Sequence, residues 1–228
     1  MKKYMLMTAI LIVSVCMLVP LFMGVTQVYA QDKGAANIKL PAPRYSSDTS
    51  VEKALAERRS VRSYKAEPLT MAEIGQILWA AQGITEPKKG LRTAPSPRGA
   101  FLIDVYLFAG NVTGLANGMY RYVPQGHELM KIAEGNLKDD LLYKAAPQAQ
   151  IKFAPAVLLI AGKSTGEAMN PYWTYLEAGH VSENVYLQAE SLKLGTVTMA
   201  GFKADDVKNA VKLPANEQPI YLMSIGKK

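Results

Sequence analysis

Residues 101–109 read FLIDVYLFA, and a second apolar run, AVLLIA, occupies residues 156–161. Both runs favour β-strands, because they are short and rich in β-branched and aromatic side chains. The first run is apolar at nearly every position, so the strand it predicts is buried on both faces. We therefore place this strand at the centre of a sheet.

Helices are predicted before and after these strands. Residues 49–52 (TSVE) and 70–73 (TMAE) each fit a capping box, in which Ser or Thr and a Glu three residues later satisfy free N–H groups. The second helix is expected to end at Gly83 in a left-handed conformation. Its buried stripe consists of Ile74, Ile77, Leu78 and Ala81. Residues 172–194 contain no proline and predict the longest helix, which ends at Gly195.

Shorter elements complete the pattern. They are a hairpin of residues 118–123 and 127–132, a helix at 137–143, a strand at 196–199, a helix at 205–211 and a strand at 219–225. No internal repeat is visible. This order favours an α+β sandwich, with a central mixed sheet flanked by helices and one long central helix.

The composition is that of a folded globular protein. The chain has 228 residues, of which 49% are hydrophobic and 20% are charged. These values exclude disordered, collagen-like and disulfide-stapled proteins. The formal charge of +7 is compatible with binding to nucleic acid or to a membrane surface. The distribution of the charges along the chain distinguishes such a protein from one with a local basic site.

The first thirty residues differ from the rest of the chain. Lys2 and Lys3 precede an uncharged, mostly apolar stretch that ends in VYA at residues 28–30. This pattern predicts a signal peptide over residues 1–30 and an exported protein, periplasmic or extracellular. An uncleaved membrane anchor is the alternative, since the run is long enough to span a bilayer. Residues 31–48 are interpreted as an extended linker, and residues 49–228 as the folded domain.

Removal of the predicted signal peptide leaves a chain without cysteine, because Cys16 lies within it. Thiol nucleophiles, thiolate metal sites and disulfides are then excluded. No other metal site is predicted, because Glu177, Glu183 and Glu190 have no set of partner histidines and His127 has no carboxylate at ligand spacing.

The basic excess is concentrated in two segments, residues 58–65 (RRSVRSYK) and 86–98 (EPKKGLRTAPSPR). The remainder of the domain is slightly acidic, which argues against a nucleic-acid-binding surface. In the first segment, guanidinium groups flank a hydroxyl, and arginine binds phosphate through two parallel hydrogen bonds. The candidates for a phosphate site are Arg58, Arg59, Ser60 and Arg62. A solvated basic helix end is the alternative.

Five segments together resemble the nitroreductase superfamily, and the closest branch is that of the SagB-type (thiazoline/oxazoline dehydrogenase-like) proteins. The segments are residues 57–85, RTAPS at 92–96, GMYRY at 118–122, EAGHVSENVYLQAESLKLGTVTMAGF at 177–202 and PIYLMSIG at 219–226. Their order along the chain is more specific than any one of them.

The resemblance implies FMN bound at the interface of a homodimer. It assigns Arg58, Arg59, Ser60 and Arg62 to the phosphate and pyrimidine side of the flavin. It places Ala94, Pro95 and Ser96 against the isoalloxazine, from the second subunit. It places Ala200 and Gly201 by the flavin edge near N5, and Lys227 at the phosphate.

The loop after Ser96 departs from the branch pattern, because it continues as PRGAF at residues 97–101. Arg98 then has two open interpretations, a contact with the N1/O2 region of the flavin or a place in solvent. Tyr172, Trp173 and Tyr175 either line a substrate pocket or pack a dimer. His180 is interpreted as a core or interface residue rather than a proton-transfer group.

The resulting expectation is an FMN-dependent oxidoreductase. In a ping-pong cycle it would pass hydride through flavin N5 to or from a nitroaromatic, a quinone or an azoline-type ring, with no catalytic side chain required. NAD(P)H is the donor that the resemblance implies, whereas export would separate the domain from the nicotinamide pool, so the donor stays open. The alternative is a non-enzymatic flavin- or ligand-binding protein with the same fold, suggested by the altered loop.

Overall fold

A seven-stranded antiparallel sheet runs through the middle of the protein, and helices cover both of its faces. The computed structural model describes residues 36–164 and 172–228. The helices are α1 (Val51–Glu57), α2 (Met71–Gln82), α3 (Ala149–Phe153), α4 (Tyr172–Ser191) and α5 (Ala204–Val211). The strands are β1 (Ile38–Lys39), β2 (Leu69–Thr70), β3 (Ile84–Glu86), β4 (Leu91–Arg92), β5 (Ile103–Ala109), β6 (Val112–Thr113), β7 (Gly118–Val123), β8 (Glu128–Glu134), β9 (Ala156–Lys163), β10 (Leu194–Met199) and β11 (Glu217–Lys227).

The sheet has the strand order β1-β8-β7-β5-β9-β11-β10, which places the two apolar runs side by side at its centre. The α+β class, the flanking helices and the long helix are confirmed. The prediction of a mixed sheet was wrong, because every strand pairing in this sheet is antiparallel. Burial on both faces is typical of parallel strands. Here helices from distant parts of the chain cover both faces of an antiparallel sheet. Its central strands therefore show the same continuous apolar pattern as buried parallel strands.

Two hydrophobic cores lie on opposite faces of the sheet. Along β5, Val105 and Leu107 point to the core beneath α2 and α4. Tyr106 and Phe108 point to the second core, which is closed by α3, α5 and a π-helical turn at Lys138–Tyr143.

The helix starts follow the sequence with one exception. The capping box of Thr70 and Glu73 at α2 is confirmed, and so is the buried stripe of that helix. At α1 the cap is Ser50, whose side chain accepts from the Lys53 N–H, rather than Thr49. Gly83 is extended (φ −63°, ψ 147°) instead of left-handed, because the chain passes directly from α2 into β3.

The segment interpreted as a linker packs on the domain over the part that the structure describes. Ile38 and Lys39 form β1 against β8, and Leu40 is buried. The Arg44 N–H donates to Gln76 Oε1 at 2.8 Å, and Gln76 Nε2 donates back to the Arg44 carbonyl at 3.0 Å. The folded unit therefore begins upstream of residue 49.

The predicted signal peptide, residues 1–30, lies outside the described residues. Within residues 36–164 and 172–228, no helix is both long and apolar enough to cross a membrane.

Residues 58–65 lie across the ends of β10 and β11. The Val61 N–H donates to the Thr196 carbonyl at 2.9 Å, and the Lys65 N–H donates to the Lys227 carbonyl at 3.0 Å. Burial raises the pKa of Tyr64 to about 12, so its hydroxyl stays protonated and donates to the Val61 carbonyl at 2.8 Å. The segment can approach this closely because the strands carry glycine there. A Cβ on Gly226 would lie 2.6 Å from the Tyr64 ring.

This packing makes Gly226→Ala destabilising. The added methyl group must displace the Tyr64 ring, and overpacking of this kind costs about 1–3 kcal/mol. We expect a lower melting temperature in thermal denaturation. Gly179→Ala is the matched control, since a Cβ there meets no atom within 4 Å. It should leave the melting temperature unchanged or raise it, because alanine favours a helix interior. Equal melting temperatures for the two variants would contradict this account.

His127 fastens the N-terminal segment to the turn before β8. Its Nε2–H donates to the Pro41 carbonyl at 3.0 Å, so in the neutral ring Nδ1 accepts from the Tyr122 hydroxyl at 2.8 Å. Burial lowers the pKa of His127, and the nearby Lys39 ammonium lowers it further, although the Pro41 carbonyl favours the charged form. The folded protein therefore binds this proton less readily than the unfolded chain does.

A pH dependence of stability follows from this lowered pKa. The unfolded chain binds the proton first, near the ordinary value of 6.5, so the free energy of unfolding should fall as the pH drops below that value. Urea denaturation at pH 7.5 and pH 5.5 measures the difference. His127→Asn removes the titrating ring, and its loss of stability across this pH interval should be smaller than that of the wild type. Parallel pH profiles for the two proteins would refute the assignment.

Candidate functional site

Arg58 and Ser60 meet Tyr186 of α4 at the edge of the sheet. The Arg58 guanidinium lies over the Tyr186 ring, 4.9 Å from its centroid. Ser60 Oγ lies 3.1 Å from the Tyr186 hydroxyl, which also accepts from the Thr198 N–H at 2.9 Å. The predicted phosphate candidates Arg58 and Ser60 are thus brought together beside β10 and Tyr186 of α4.

Polar atoms at this cluster have unused hydrogen-bonding capacity. Arg58 Nε, Thr196 Oγ1 and Thr198 Oγ1 are buried, and within the described part of the chain they have no hydrogen-bond partner. Buried polar atoms without partners are uncommon in native proteins, and an external ligand is one explanation for them. Guanidinium and hydroxyl donors in this arrangement suit an anion such as a phosphate.

The other two basic candidates are exposed and close by in sequence. Arg59 donates to the carbonyls of Ala56 and Arg58 at 3.0 and 2.7 Å, so it caps the last turn of α1. Arg62 donates weakly to the Ser60 carbonyl at 3.4 Å. Arg62 is therefore the more available of the two for a ligand, and Arg59 has a structural role that the sequence did not indicate.

Lys227 lies at the start of α2 rather than free in solvent. Its ammonium pairs with Glu73, the acidic residue of the α2 capping box. Burial by itself raises the pKa of Glu73, but the hydrogen bonds from Lys227 and Thr70 outweigh it, so this pKa lies below the ordinary value. Lys228 pairs with Glu190 of α4 at 2.5 Å. Carboxylates thus compete with any anion for both terminal lysines.

The loop that contains Ala94, Pro95 and Ser96 is attached to the first half of α4. Ala94 is buried. Ser96 Oγ donates to Glu177 Oε2 at 2.7 Å, and the Pro95 carbonyl accepts from His180 Nδ1–H at 2.9 Å. His180 is exposed, so the core half of its predicted core-or-interface role was wrong, whereas its ring N–H is satisfied as expected; the interface role stays a prediction. The hydroxyl proton of Ser96 is engaged with Glu177, so this hydroxyl is a fixed part of the loop rather than a free donor.

Arg98 and the aromatic residues of α4 form a surface next to this loop. The Arg98 guanidinium lies over the Trp173 ring, 5.2 Å from its centroid. Tyr172 is 70% exposed and Tyr175 is 62% exposed. The stacked Arg98 and the ring surfaces beside it could contact a planar ligand or a second subunit.

Ala200 and Gly201 are exposed directly after β10. The Gly201 carbonyl accepts from Gln148 Nε2 at 3.3 Å, and a Cβ at Gly201 would meet no atom within 4 Å. The backbone here is open to a ligand.

The predicted residues form two separate groups in one chain. Tyr186 marks the first group, and Glu177 marks the second. Nine residues of helix separate them, which corresponds to about 13 Å along the axis and about half a turn around it. The two markers therefore lie on different sides of α4.

Sequence reasoning missed Glu177 and the part that Tyr186 plays. Glu177 is completely buried, although acidic residues are rarely placed in a core. Its signal in the sequence is weak, because its three partners come from segments distant along the chain. No metal centre emerges from the described residues, among which no group of three or more His, Cys, Asp or Glu could hold an ion.

Comparison with known proteins agrees with the fold. Residues 55–227 match the sequence profile of the nitroreductase family. A protein of Methanocaldococcus jannaschii, provisionally named a nitroreductase, is 36% identical over 184 residues, which cover 78% of this chain and 91% of the relative. A crystal structure from Ralstonia eutropha, also provisionally titled a nitroreductase, has a TM-score of 0.71 at 27% identity and covers 88% of this chain and 90% of that one.

A more distant neighbour is a chain in the structure of the Escherichia coli microcin synthetase complex. Its TM-score is 0.64 at 17% identity, with 86% of this chain and 79% of that chain covered, and at this identity the likeness concerns the fold alone. The profile match covers residues 55–227, and the Methanocaldococcus relative is matched over 78% of this chain. On this evidence the protein belongs to the nitroreductase family.

Proposed function

We propose that this protein is an FMN-dependent oxidoreductase that carries electrons between a donor and a small organic substrate in a ping-pong cycle. The observation that carries the proposal is the cluster of Arg58, Ser60 and Tyr186 with its unpartnered polar atoms. The family suggests flavin chemistry, and this cluster supplies donors for the one strongly anionic group of FMN.

The residues present fit the cofactor. Arg58, Ser60 and Arg62 would hold the phosphate, because charge-assisted hydrogen bonds from guanidinium groups are the strongest available to it. Lys227 would join them only by giving up Glu73, which makes it the weakest of the proposed ligands. The exposed backbone of Ala200 and Gly201 would approach the edge of the ring, since no side chain stands in the way at Gly201.

FMN, when bound, supplies the two-electron chemistry, and the protein supplies orientation and charge. The donors of residues 58–62 orient the phosphate end. The loop at residues 94–98 provides a wall for the ring, and Arg98 adds a positive charge beside it. No side chain is required as an acid or base, which agrees with a site composed of binding groups.

We infer a homodimer in which each cofactor contacts both subunits. Tyr186 and Glu177, which mark the two groups, lie about 13 Å apart along α4 and about half a turn around it, and a second subunit that supplies the loop at residues 94–98 would bring both groups to one flavin. Exposed apolar side chains in α1 and in the segment before it support this arrangement. Val51 and Leu55 of α1 are 64% and 53% exposed, and Tyr45 is 80% exposed.

A cleft lies beside these residues and fits a subunit contact. It has a volume of about 510 Å³ and lies between the N-terminal segment, α2 and α4. Tyr45 contacts Trp79 edge-on within it, at 5.5 Å between ring centroids. An exposed apolar face continuous with such a cleft is typical of an interaction surface.

The proposed substrates are planar rings: a nitroaromatic, a quinone or an azoline-type ring. The stacked pair of Arg98 and Trp173, with Tyr172 and Tyr175 nearby, supports a planar substrate through stacking and cation–π contact. The SagB-type branch favours the azoline ring within this class.

NAD(P)H is the proposed donor if the domain faces the cytoplasm, and a different reductant is needed if residues 1–30 direct export.

The phosphate assignment predicts a selective loss of FMN. Arg58→Ala combined with Arg62→Ala removes two charge-assisted contacts and should weaken FMN binding by about 3 kcal/mol, or about 100-fold. Riboflavin has no phosphate, so its affinity should change little. Quenching of flavin fluorescence measures both dissociation constants.

Lys88→Ala combined with Lys89→Ala removes the same charge from an exposed turn and serves as the control. It should leave both affinities unchanged. Equal loss of FMN and riboflavin affinity in the arginine variant would contradict the phosphate assignment. A wild-type protein that binds no FMN would overturn the proposed function itself.

The dimer inference predicts that charge on α1 separates the subunits. Val51→Glu combined with Leu55→Glu places carboxylates where the second subunit would bury them, whereas both positions are exposed within one chain. Light scattering after size exclusion should change from a dimer to a monomer, with loss of FMN. Phe153→Glu is the control, because Phe153 is 68% exposed on α3, across the sheet from α4. A monomeric wild type that retains FMN would refute the inference.

A further inference from the structure

Glu177 is a buried carboxylate that connects three separate segments. The residue is completely inaccessible to solvent. Its Oε2 accepts from Ser96 Oγ at 2.7 Å and from the Leu102 N–H at 3.0 Å. Its Oε1 accepts from Gln82 Nε2, at the end of α2, at 2.9 Å. Isolating a carboxylate from water is costly unless it is hydrogen-bonded and balanced by charge, and here both conditions are met.

The balancing charge comes from Arg92 through Gln82. Arg92 NH1 donates to Gln82 Oε1 at 3.0 Å, so Gln82 accepts from the cation and donates to the carboxylate. The Arg92 guanidinium also lies over the Phe101 ring, 4.3 Å from its centroid. Burial lowers the pKa of Arg92, while the charges of Glu177 and Asp104 act against that shift. Arg92 and Glu177 therefore hold the loop at residues 93–102 from both of its ends.

The loop needs this support because its backbone is strained. Arg98 and Phe101 have φ values of 54° and 48°, in the left-handed region that residues with a side chain seldom occupy. Such conformations persist where surrounding contacts impose them. Ser96 Oγ accepts from the Phe101 N–H at 2.8 Å while it donates to Glu177. The carboxylate thus acts through Ser96 on the strained end of the loop.

We propose that Glu177 is the positioning residue that presents the loop at residues 94–98 to the flavin. The inference rests on the proposed function, in which this loop forms the wall for the isoalloxazine. Glu177 touches neither cofactor nor substrate in this account. It fixes the direction of the Pro95 and Ser96 backbone and of Arg98, and His180 assists by donating to the Pro95 carbonyl.

The direction of each hydrogen bond makes the network sensitive to an isosteric change. Glu177→Gln replaces an acceptor oxygen with an NH2 group of nearly the same shape. If the oxygen of the new amide keeps the hydrogen bonds from Ser96 and Leu102, the NH2 group of the new side chain faces the NH2 group of Gln82. Gln82 must then rotate its amide, which turns a donor toward the Arg92 guanidinium, another donor. The conflict is removed by Gln82→Glu in the same chain, because that carboxylate accepts from both neighbours.

The experiment compares Glu177→Gln with the double variant Glu177→Gln and Gln82→Glu. Dissociation constants for FMN and riboflavin are measured by fluorescence quenching. Hydrogen exchange of residues 93–102 is measured in the flavin-free protein. For Glu177→Gln we expect about tenfold weaker binding of both flavins, since the ring contact is affected and the phosphate contact is not. We also expect faster exchange at Leu102. The double variant should restore both properties toward the wild-type values.

Glu217→Gln controls for a general loss of stability. Glu217 is a second buried carboxylate, which accepts from the Tyr106 hydroxyl at 2.8 Å on the face of the sheet away from α4. The Glu217→Gln variant should have a lower melting temperature, with unchanged flavin affinity and unchanged hydrogen exchange at Leu102.

Each outcome has a separate meaning. A wild type that binds flavin, with a Glu177→Gln variant of unchanged affinity and exchange, overturns the positioning role and leaves the proposed function intact. Loss of FMN affinity alone, with riboflavin unaffected, also overturns it, because Glu177 would then act on the phosphate end. A wild type that binds no flavin refutes the proposed function, and the inference with it.

Discussion

The burial of the central strands on both faces is the constraint on which the rest of the structure depends. β5 and β9 are buried along nearly their whole length, so neither face of the sheet centre can carry an exposed binding group. Polar chemistry is therefore restricted to strand ends, to the edge at β10 and to loops that pass over the helices. Both groups of candidate residues lie in such places. One lies where residues 58–62 meet β10, and the other lies in the loop before β5.

Helix α4 connects these two groups while it covers the first core. Its buried face packs on the sheet through Ala178, Val181 and Val185. The polar residues that interrupt this packing have hydrogen-bond partners, and two of them contact the candidate site. Glu177 receives donors from α2 and from the loop, and Tyr186 contacts Ser60 and Thr198. The same helix thus contacts both groups of candidate residues.

Much of the fold could be predicted from local patterns. Alternation and apolar runs located the strands, and the capping box at Thr70 located the start of α2, because these signals depend on neighbouring residues. The patterns failed where distant contacts decide the outcome. Gly83 is extended because β3 follows at once, and residues 36–48 pack on the domain because α2 and β8 offer them partners. Strand direction was also missed, since burial on both faces does not distinguish antiparallel from parallel pairing.

The sequence by itself determined the α+β class, the positions of the main elements, the basic segment at residues 58–62 and the resemblance to the nitroreductase superfamily. Each of these depends on the identity or spacing of residues that are close together in the sequence. Only the tertiary structure decided that Tyr186 completes the Arg58 cluster, that Lys227 pairs with Glu73 and that Glu177 anchors the strained loop. The reason is physical: a buried polar group is stable only beside its partners, and those partners come together only when the chain has folded.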